Sequence, residues 1–291
     1  MKKVLLTSLI AFMLSCVQAF AADMAVQYTN DRTDISGNTI MRNFMMRSSD
    51  GANYRIEMTP IDEAITSTDG VTTIPIDNEN FYIHNTKEDV FFKYNEASVV
   101  TDGVELDSES LNLMAVIKDC GIVPAGTYSL RMNIYAVNLE SNTEINTSFA
   151  FEFVIPKMHS LTSGSNEMPK ISVSASGVFD KSNKILNDSA SMVYINSNTD
   201  WVLTLNAKKM QDFDGKFYVR TTAASENVTS RLQEYALITP GTSEIILARG
   251  TAPADGEHVT VEFSIENPET GFIPAGEYYY NISYELTEGQ E

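Results

Sequence analysis

The residues that could do chemistry are few and scattered. The chain has three histidines, His84, His159 and His258. No His-x-x-x-His or Cys-x-x-Cys spacing joins them, so the frame of a zinc site is missing. No Gly-x-Ser-x-Gly elbow and no Gly-rich loop ending in Gly-Lys-Ser/Thr occurs, which removes the usual signatures of a hydrolase and of a nucleotide-binding protein. Paired carboxylates stand in "VELDSES" (104 to 110) and "QDFDGK" (211 to 216), but a chain with 39 acidic residues produces such pairs by composition alone. Asp212, Asp214 and Gly215 echo the start of a calcium loop, without the later oxygen ligands and the glutamate that would finish it. The reading is therefore of no catalytic residue, no cofactor and no metal ligand. These side chains are surface and turn positions, and the protein is not an enzyme.

The elements around them say more. "GIVPAGTYSL" (121 to 130) returns 150 positions later as "GFIPAGEYYY" (271 to 280). After each copy apolar residues alternate: Tyr128, Leu130, Met132 and Ile134 in the first, Tyr278, Tyr280, Ile282 and Tyr284 in the second. Period two marks a strand with one face on a core. Proline presets φ at Pro124 and Pro274, and Gly126 and Gly276 can take a backbone angle that a side chain would resist, so Pro-Ala-Gly turns the chain into that strand. The rings of Tyr128 and Tyr278 then open the strand, each with a hydroxyl able to reach a turn carbonyl.

Further upstream, residues 38 to 60 and 190 to 208 share a shape, strand, polar turn and strand, with Tyr54 and Trp201 in like places. "DVFFKY" (89 to 94) and "KFYVRTT" (216 to 222) follow them. Short strands with turn signals about every ten residues predict sandwiches. "SRLQEYAL" (230 to 237) is the one short helix candidate. The fold class expected is all-β: two tandem immunoglobulin-like antiparallel β-sandwiches, residues 22 to 156 and 170 to 291, joined by the polar linker 157 to 169.

The halves differ in one respect. The first continues into "NTSFAFEFVIP" (146 to 156), where Phe149, Phe151, Phe153 and Ile155 alternate with smaller or polar residues, whereas the second ends soon after Tyr284. Two readings stand. The extra strand closes the first sandwich against 127 to 137, or it is donated to a neighbour whose sheet is one strand short. A second candidate donor is "ADMAVQYTN", with Met24, Val26 and Tyr28 alternating; it can equally be an ordinary first strand.

Residues 1 to 21 combine Lys2 and Lys3, an apolar run from Val4 to Leu14, and Ala19-Phe20-Ala21 as a small-x-small cleavage site. This is the pattern of a bacterial secretory signal, too short in its apolar core to span a membrane. Cys16 follows Ser15 at the end of the run, but Met13 and Leu14 make a poor lipidation site. The formal net charge is −19, and loss of Lys2 and Lys3 makes the remainder more acidic still. Such a field disfavours nucleic acid and anionic membrane surfaces as partners. After cleavage Cys120 is the sole cysteine, so no internal disulfide is expected.

The signal, the sandwich pattern, the repeated "[IV]-P-A-G-x-Y" turn and "INSNTDWVLTL" (195 to 205) together resemble the spore coat protein U and fimbrial-subunit group of bacterial surface proteins. The resemblance covers about 30 residues of each half. It implies export, strand complementation with a periplasmic chaperone or other subunits, and a structural or adhesive role; two fused copies depart from a simple major pilin and leave a minor or tip subunit and a stand-alone envelope protein equally open. Members often carry disulfides that this chain cannot form. The expectation is a secreted, fimbrial-like protein of the periplasm or cell surface whose partners are proteins. The competing expectation is a stand-alone periplasmic or surface binding module of two closed domains. A pilus chaperone is disfavoured, because a basic balance is expected there and this chain is acidic.

Overall fold

A computed structural model describes residues 17–19, 24–30, 32–48, 52–77, 79–105, 110–163, 170–173, 184–186, 191–210, 216–239, 244–266 and 275–289. Most of the expected signal segment therefore lies outside the described residues. All regular structure among the described residues is β-strand, and no helix there is long and apolar enough to cross a membrane. The chain divides into two compact units, residues 1–156 and 157–291.

The first unit is a sandwich of two antiparallel sheets. In the first sheet β1 (Val17–Ala19) lies on β2 (Met24–Tyr28), and β2 and β3 (Asp34–Ser36) share one margin of β4 (Thr39–Ser48). The second sheet uses β5 (Asn53–Pro60), β6 (Ala64–Ser67) and β7 (Thr73–Pro75). The chain then returns to the first sheet with β8 (Phe81–His84) and β9 (Asp89–Phe91), which extend it through β11 (Leu111–Ile117). β10 (Ser98–Glu105), β12 (Gly126–Asn138) and β13 (Glu144–Ile155) complete the second sheet.

Side chains alternate strictly along these strands. In β12 the residues Tyr128, Leu130, Met132, Ile134 and Ala136 are all at most 2% exposed, and they meet Ile40, Phe44 and Met46 of β4 in one core. Burial of this kind is worth roughly 1.5 to 3 kcal/mol per large side chain, and it is the main force holding the two sheets face to face.

The second unit repeats the frame. One sheet is β14 (His159–Ser163), β17 (Ser191–Ser197), β23 (Ala254–Glu266), β19 (Lys216–Ala224) and β21 (Ala236–Ile238), with β16 (Lys184–Leu186) beside β23. The other is β15 (Lys170–Val173), β24 (Gly276–Glu288), β18 (Trp201–Met210), β22 (Glu244–Gly250) and β20 (Val228–Arg231). The correspondence extends to register: Tyr54 of β5 pairs with Asn138 of β12, and Trp201 of β18 pairs with Glu288 of β24, so the 150-residue offset holds to the far end of the strand.

Two expectations are corrected. Residues 159–163, assigned to a linker because the segment around them is polar and rich in Ser, Gly and Pro, form β14, because Leu161 packs on the second core while the backbone pairs with β17. Residues 164–169 of that linker lie outside the described residues. The helix candidate 230–237 is instead the end of β20, a short loop and the start of β21. Leu232 in the loop and Ala236 in β21 pack against the core there.

Candidate functional site

The repeated turn places the first landmark. Asp119 and Gly121 have φ of 55° and 65°, and Gly126 has φ of 155°, values that side-chain-bearing residues seldom adopt. Pro124 lies between them, and its carbonyl accepts a hydrogen bond from the Tyr128 hydroxyl at 2.9 Å. Tyr128 is 2% exposed, and burial raises its pKa above the ordinary phenol value. In the second copy Pro274 lies outside the described residues. Gly276 begins β24, and the backbone of Tyr278 pairs with Ile171 of β15.

The strand that follows the first turn is covered on both margins. β13 pairs with β12 from Gly126↔Ile155 to Val137↔Glu144, while β5 and β6 share the opposite margin of β12. Phe149, Phe151, Phe153 and Ile155 of β13 are 4%, 0%, 0% and 3% exposed. Phe151 meets Phe44 and Phe149 edge-on, at centroid distances of 4.8 and 4.9 Å. The second candidate donor is also engaged: β2 pairs with β4, with Met24 and Val26 buried. In this structure both segments complete the unit they belong to.

β24 is placed differently. Residues 280–288 pair with β18, and β15 reaches only residues 276–279, so among the described residues 280–288 have one partner strand. The Gly289 N–H donates to the Asp200 carbonyl at 2.7 Å, which continues the β18 ladder. Odd-numbered residues thus turn their backbone groups to β18, and Ile282, Tyr284 and Leu286 turn theirs to the other margin. The side chains register the difference. Met132, Ile134 and Ala136 of β12 are fully buried, whereas their repeat equivalents Ile282 and Tyr284 stay partly exposed and Leu286 is 7% exposed. Lys157 Nζ lies 2.5 Å from Glu288 Oε1 at the end of β24. What the arrangement can do chemically is accept main-chain hydrogen bonds and apolar side chains from an extended segment.

The polar candidates are dispersed over the surface. His84 Nδ1 lies 2.7 Å from Asp89 Oδ1 on neighbouring strands of the first unit. His159 is exposed in β14, and Asp212, Asp214 and Gly215 lie outside the described residues. His258 Nδ1 is 2.9 Å from Ser225 Oγ, a pairing that no sequence motif signals because the two are 33 residues apart. Ser225 Oγ also accepts the His258 N–H at 2.8 Å, so the hydroxyl is engaged in extending the sheet. Cys120 is half-buried, its thiol raised in pKa chiefly by that burial, and its Sγ donates to the Asn38 carbonyl at 3.0 Å. Among the described residues no group of three or more His, Cys, Asp or Glu side chains converges as metal ligands would.

No protein-family model matches the chain, and no curated protein matches its sequence. Several solved structures resemble it. The chaperone and tip-adhesion-subunit pre-assembly complex CsuC–CsuE, from archaic chaperone-usher Csu pili of Acinetobacter baumannii, aligns over 84% of this chain and 91% of its own, at 9% identity and a TM-score of 0.40. A chaperone–tip adhesin complex of CFA/I fimbriae aligns over 95% and 89%, at 10% identity and a TM-score of 0.30. The C-terminal domain of the AgI/II polypeptide BspA of Streptococcus agalactiae aligns over 91% and 96%, at 6% identity and a TM-score of 0.24.

Proposed function

We propose that this chain is a secreted structural or adhesive protein of the bacterial cell envelope, a fimbrial-like minor or tip subunit without enzymatic activity, whose second unit accepts a strand from another protein. The observation that carries the reading is the contrast between β12 and β24. The same turn and the same strand occur twice, but β13 completes only the first. Ile282 and Tyr284 are left partly exposed where their counterparts are sealed. An extended segment running antiparallel to β24 would supply the main-chain partners and cover those side chains. Both segments that could have served as donors are built into the first unit, so the chain is an acceptor, and the strand comes from a chaperone or a neighbouring subunit. The signal pattern at residues 1 to 21 supports export to the periplasm or surface.

A synthetic peptide with the sequence of β13, EINTSFAFEFVI, provides the test. Added to the full chain, it should slow hydrogen exchange at the amides of Ile282, Tyr284 and Leu286. Exchange there that stays unchanged at millimolar peptide refutes the acceptor reading and favours two closed modules.

A further inference from the structure

The first unit also has a margin at which its second sheet could be extended, the outer side of β13. The pairing with β12 uses the backbone groups of Phe149, Phe151, Phe153 and Ile155, so those of Ser148, Ala150, Glu152 and Val154 point away from β12. A run of outward-pointing amides and carbonyls on a twelve-residue strand is a template for adding another chain. Three of these groups are met by side chains of the opposite sheet. The Tyr28 hydroxyl donates to the Ala150 carbonyl at 3.2 Å and accepts the Glu152 N–H at 2.7 Å. Thr33 Oγ1 accepts the Val154 N–H at 2.9 Å. Tyr28 ends β2 and Thr33 precedes β3, so both come from the margin of the first sheet that faces β13.

One buried cation holds the two together. Arg42 follows Ile40 and precedes Phe44 on the core-facing side of β4, and it is 5% exposed. Its guanidinium lies 4.3 Å from the centroid of the Tyr28 ring, and its Nη1 donates to Thr33 Oγ1 at 3.4 Å. Its Nε is buried without a hydrogen-bond partner among the described residues. Placing a charge so deep is costly, and its visible contacts are with the two side chains that cap the β13 edge. Thr33 Oγ1 uses both acceptor sites, one for Arg42 and one for Val154, while the Tyr28 hydroxyl uses one donor and one acceptor.

We propose that Tyr28, Thr33 and Arg42 form a clasp that closes the β13 edge of the first unit against the addition of a further strand. The clasp takes the backbone groups an incoming strand would need. The inference concerns the first unit alone and stands whether or not β24 accepts a strand.

The test uses the full chain with Tyr28→Phe, Thr33→Val and the two combined. The loss of one edge hydrogen bond should speed exchange about tenfold at the Glu152 amide in Tyr28→Phe and at the Val154 amide in Thr33→Val. The Phe151 and Phe153 amides, which face β12, should keep their rates and so report an intact sandwich. The β13 peptide carrying a photo-cross-linker is then added, and the cross-linked residues are mapped. Attachment at residues 148–154 should appear in the double variant and be absent from the unsubstituted chain; attachment at 276–288 reports separately on β24. Unchanged exchange at Glu152 and Val154 overturns the proposal. So does a double variant whose edge amides are open but which captures no more peptide at 148–154. If the double variant loses Phe151 and Phe153 protection, Tyr28→Phe alone decides, because it retains the ring beneath Arg42.

Discussion

Replacing Phe151 by alanine tests whether β13 belongs to its own unit. Phe151 is fully buried and packs edge-on against Phe44 of the opposite sheet and Phe149 of the same strand. Removing a ring so enclosed costs about 3 to 5 kcal/mol, including the cavity left behind, and the two aromatic contacts place it toward the upper end. With a urea slope of roughly 2 kcal/mol per molar, a loss of about 4 kcal/mol lowers the midpoint of the first unit by about 2 M. The chain offers a convenient internal control, because its single tryptophan, Trp201, is buried in the second unit. Urea unfolding followed by far-ultraviolet circular dichroism should show the shifted transition, while the Trp201 fluorescence midpoint stays fixed. A circular dichroism shift below about 0.5 M would refute the packing argument. A shift that varies with protein concentration would refute the intramolecular assignment, because a strand borrowed from a neighbour obeys mass action. Taken together, Phe149, Phe151, Phe153 and Ile155 are worth about 8 kcal/mol of burial at roughly 2 kcal/mol each. Most domains have total stabilities of about 5 to 15 kcal/mol, so donation of β13 would unfold the unit it left.

Tyr128→Phe removes only the hydroxyl that holds the Pro124 carbonyl and should cost about 1 kcal/mol in thermal or chemical unfolding of the first unit; an unchanged midpoint would show that the turn is held by other means. A Cβ on Gly250 would lie 2.3 Å from Trp201 Cζ2. Gly250→Ala should therefore cost about 1 to 3 kcal/mol and shift Trp201 fluorescence, whereas a neutral result would contradict that close approach. The Asp62 carboxyl is held below its ordinary range by hydrogen bonds from the Arg131 side chain, so its contribution is present above the unfolded value of 3.8 and fades as pH falls through the lower folded value. The stability gap between the unsubstituted chain and Asp62→Asn should accordingly narrow as pH is lowered from 5 to 2; a constant gap would refute the linkage.

The turn at Pro124 and Gly126 was legible because proline and glycine carry their backbone preferences openly, although it takes the chain from β11 in the first sheet to β12 in the second and so makes no hairpin. The alternation of Phe149, Phe151 and Phe153 likewise announced a strand with one buried face. β14 was hidden because a single apolar residue, Leu161, meets the core, and a polar segment rich in Ser, Gly and Pro reads as a linker when only one side chain packs. The 230–237 segment differs in the opposite direction: Leu232 and Ala236 have helical spacing, but Leu232 reaches the core from the loop after β20 and Ala236 from β21. Arg42 could not have been placed inside from its type, since a basic residue within "TIMRNFMMRS" reads as solvent-facing. Its burial follows from the two hydroxyl-bearing residues that meet it across the seam, a relation spread over separate strands. The difference between β12 and β24 is a matter of neighbours, and no residue of β24 itself displays it.

Amide exchange along the two equivalent strands of the full chain distinguishes a β24 that is open to another strand from one that is closed. Ile282, Tyr284 and Leu286, whose amides face a margin with no partner strand among the described residues, should exchange through small local openings at rates orders of magnitude above those of Met132, Ile134 and Ala136 beneath β13. Equal protection in the two strands would mean that the second sandwich is closed as fully as the first, and the acceptor role would fall with it.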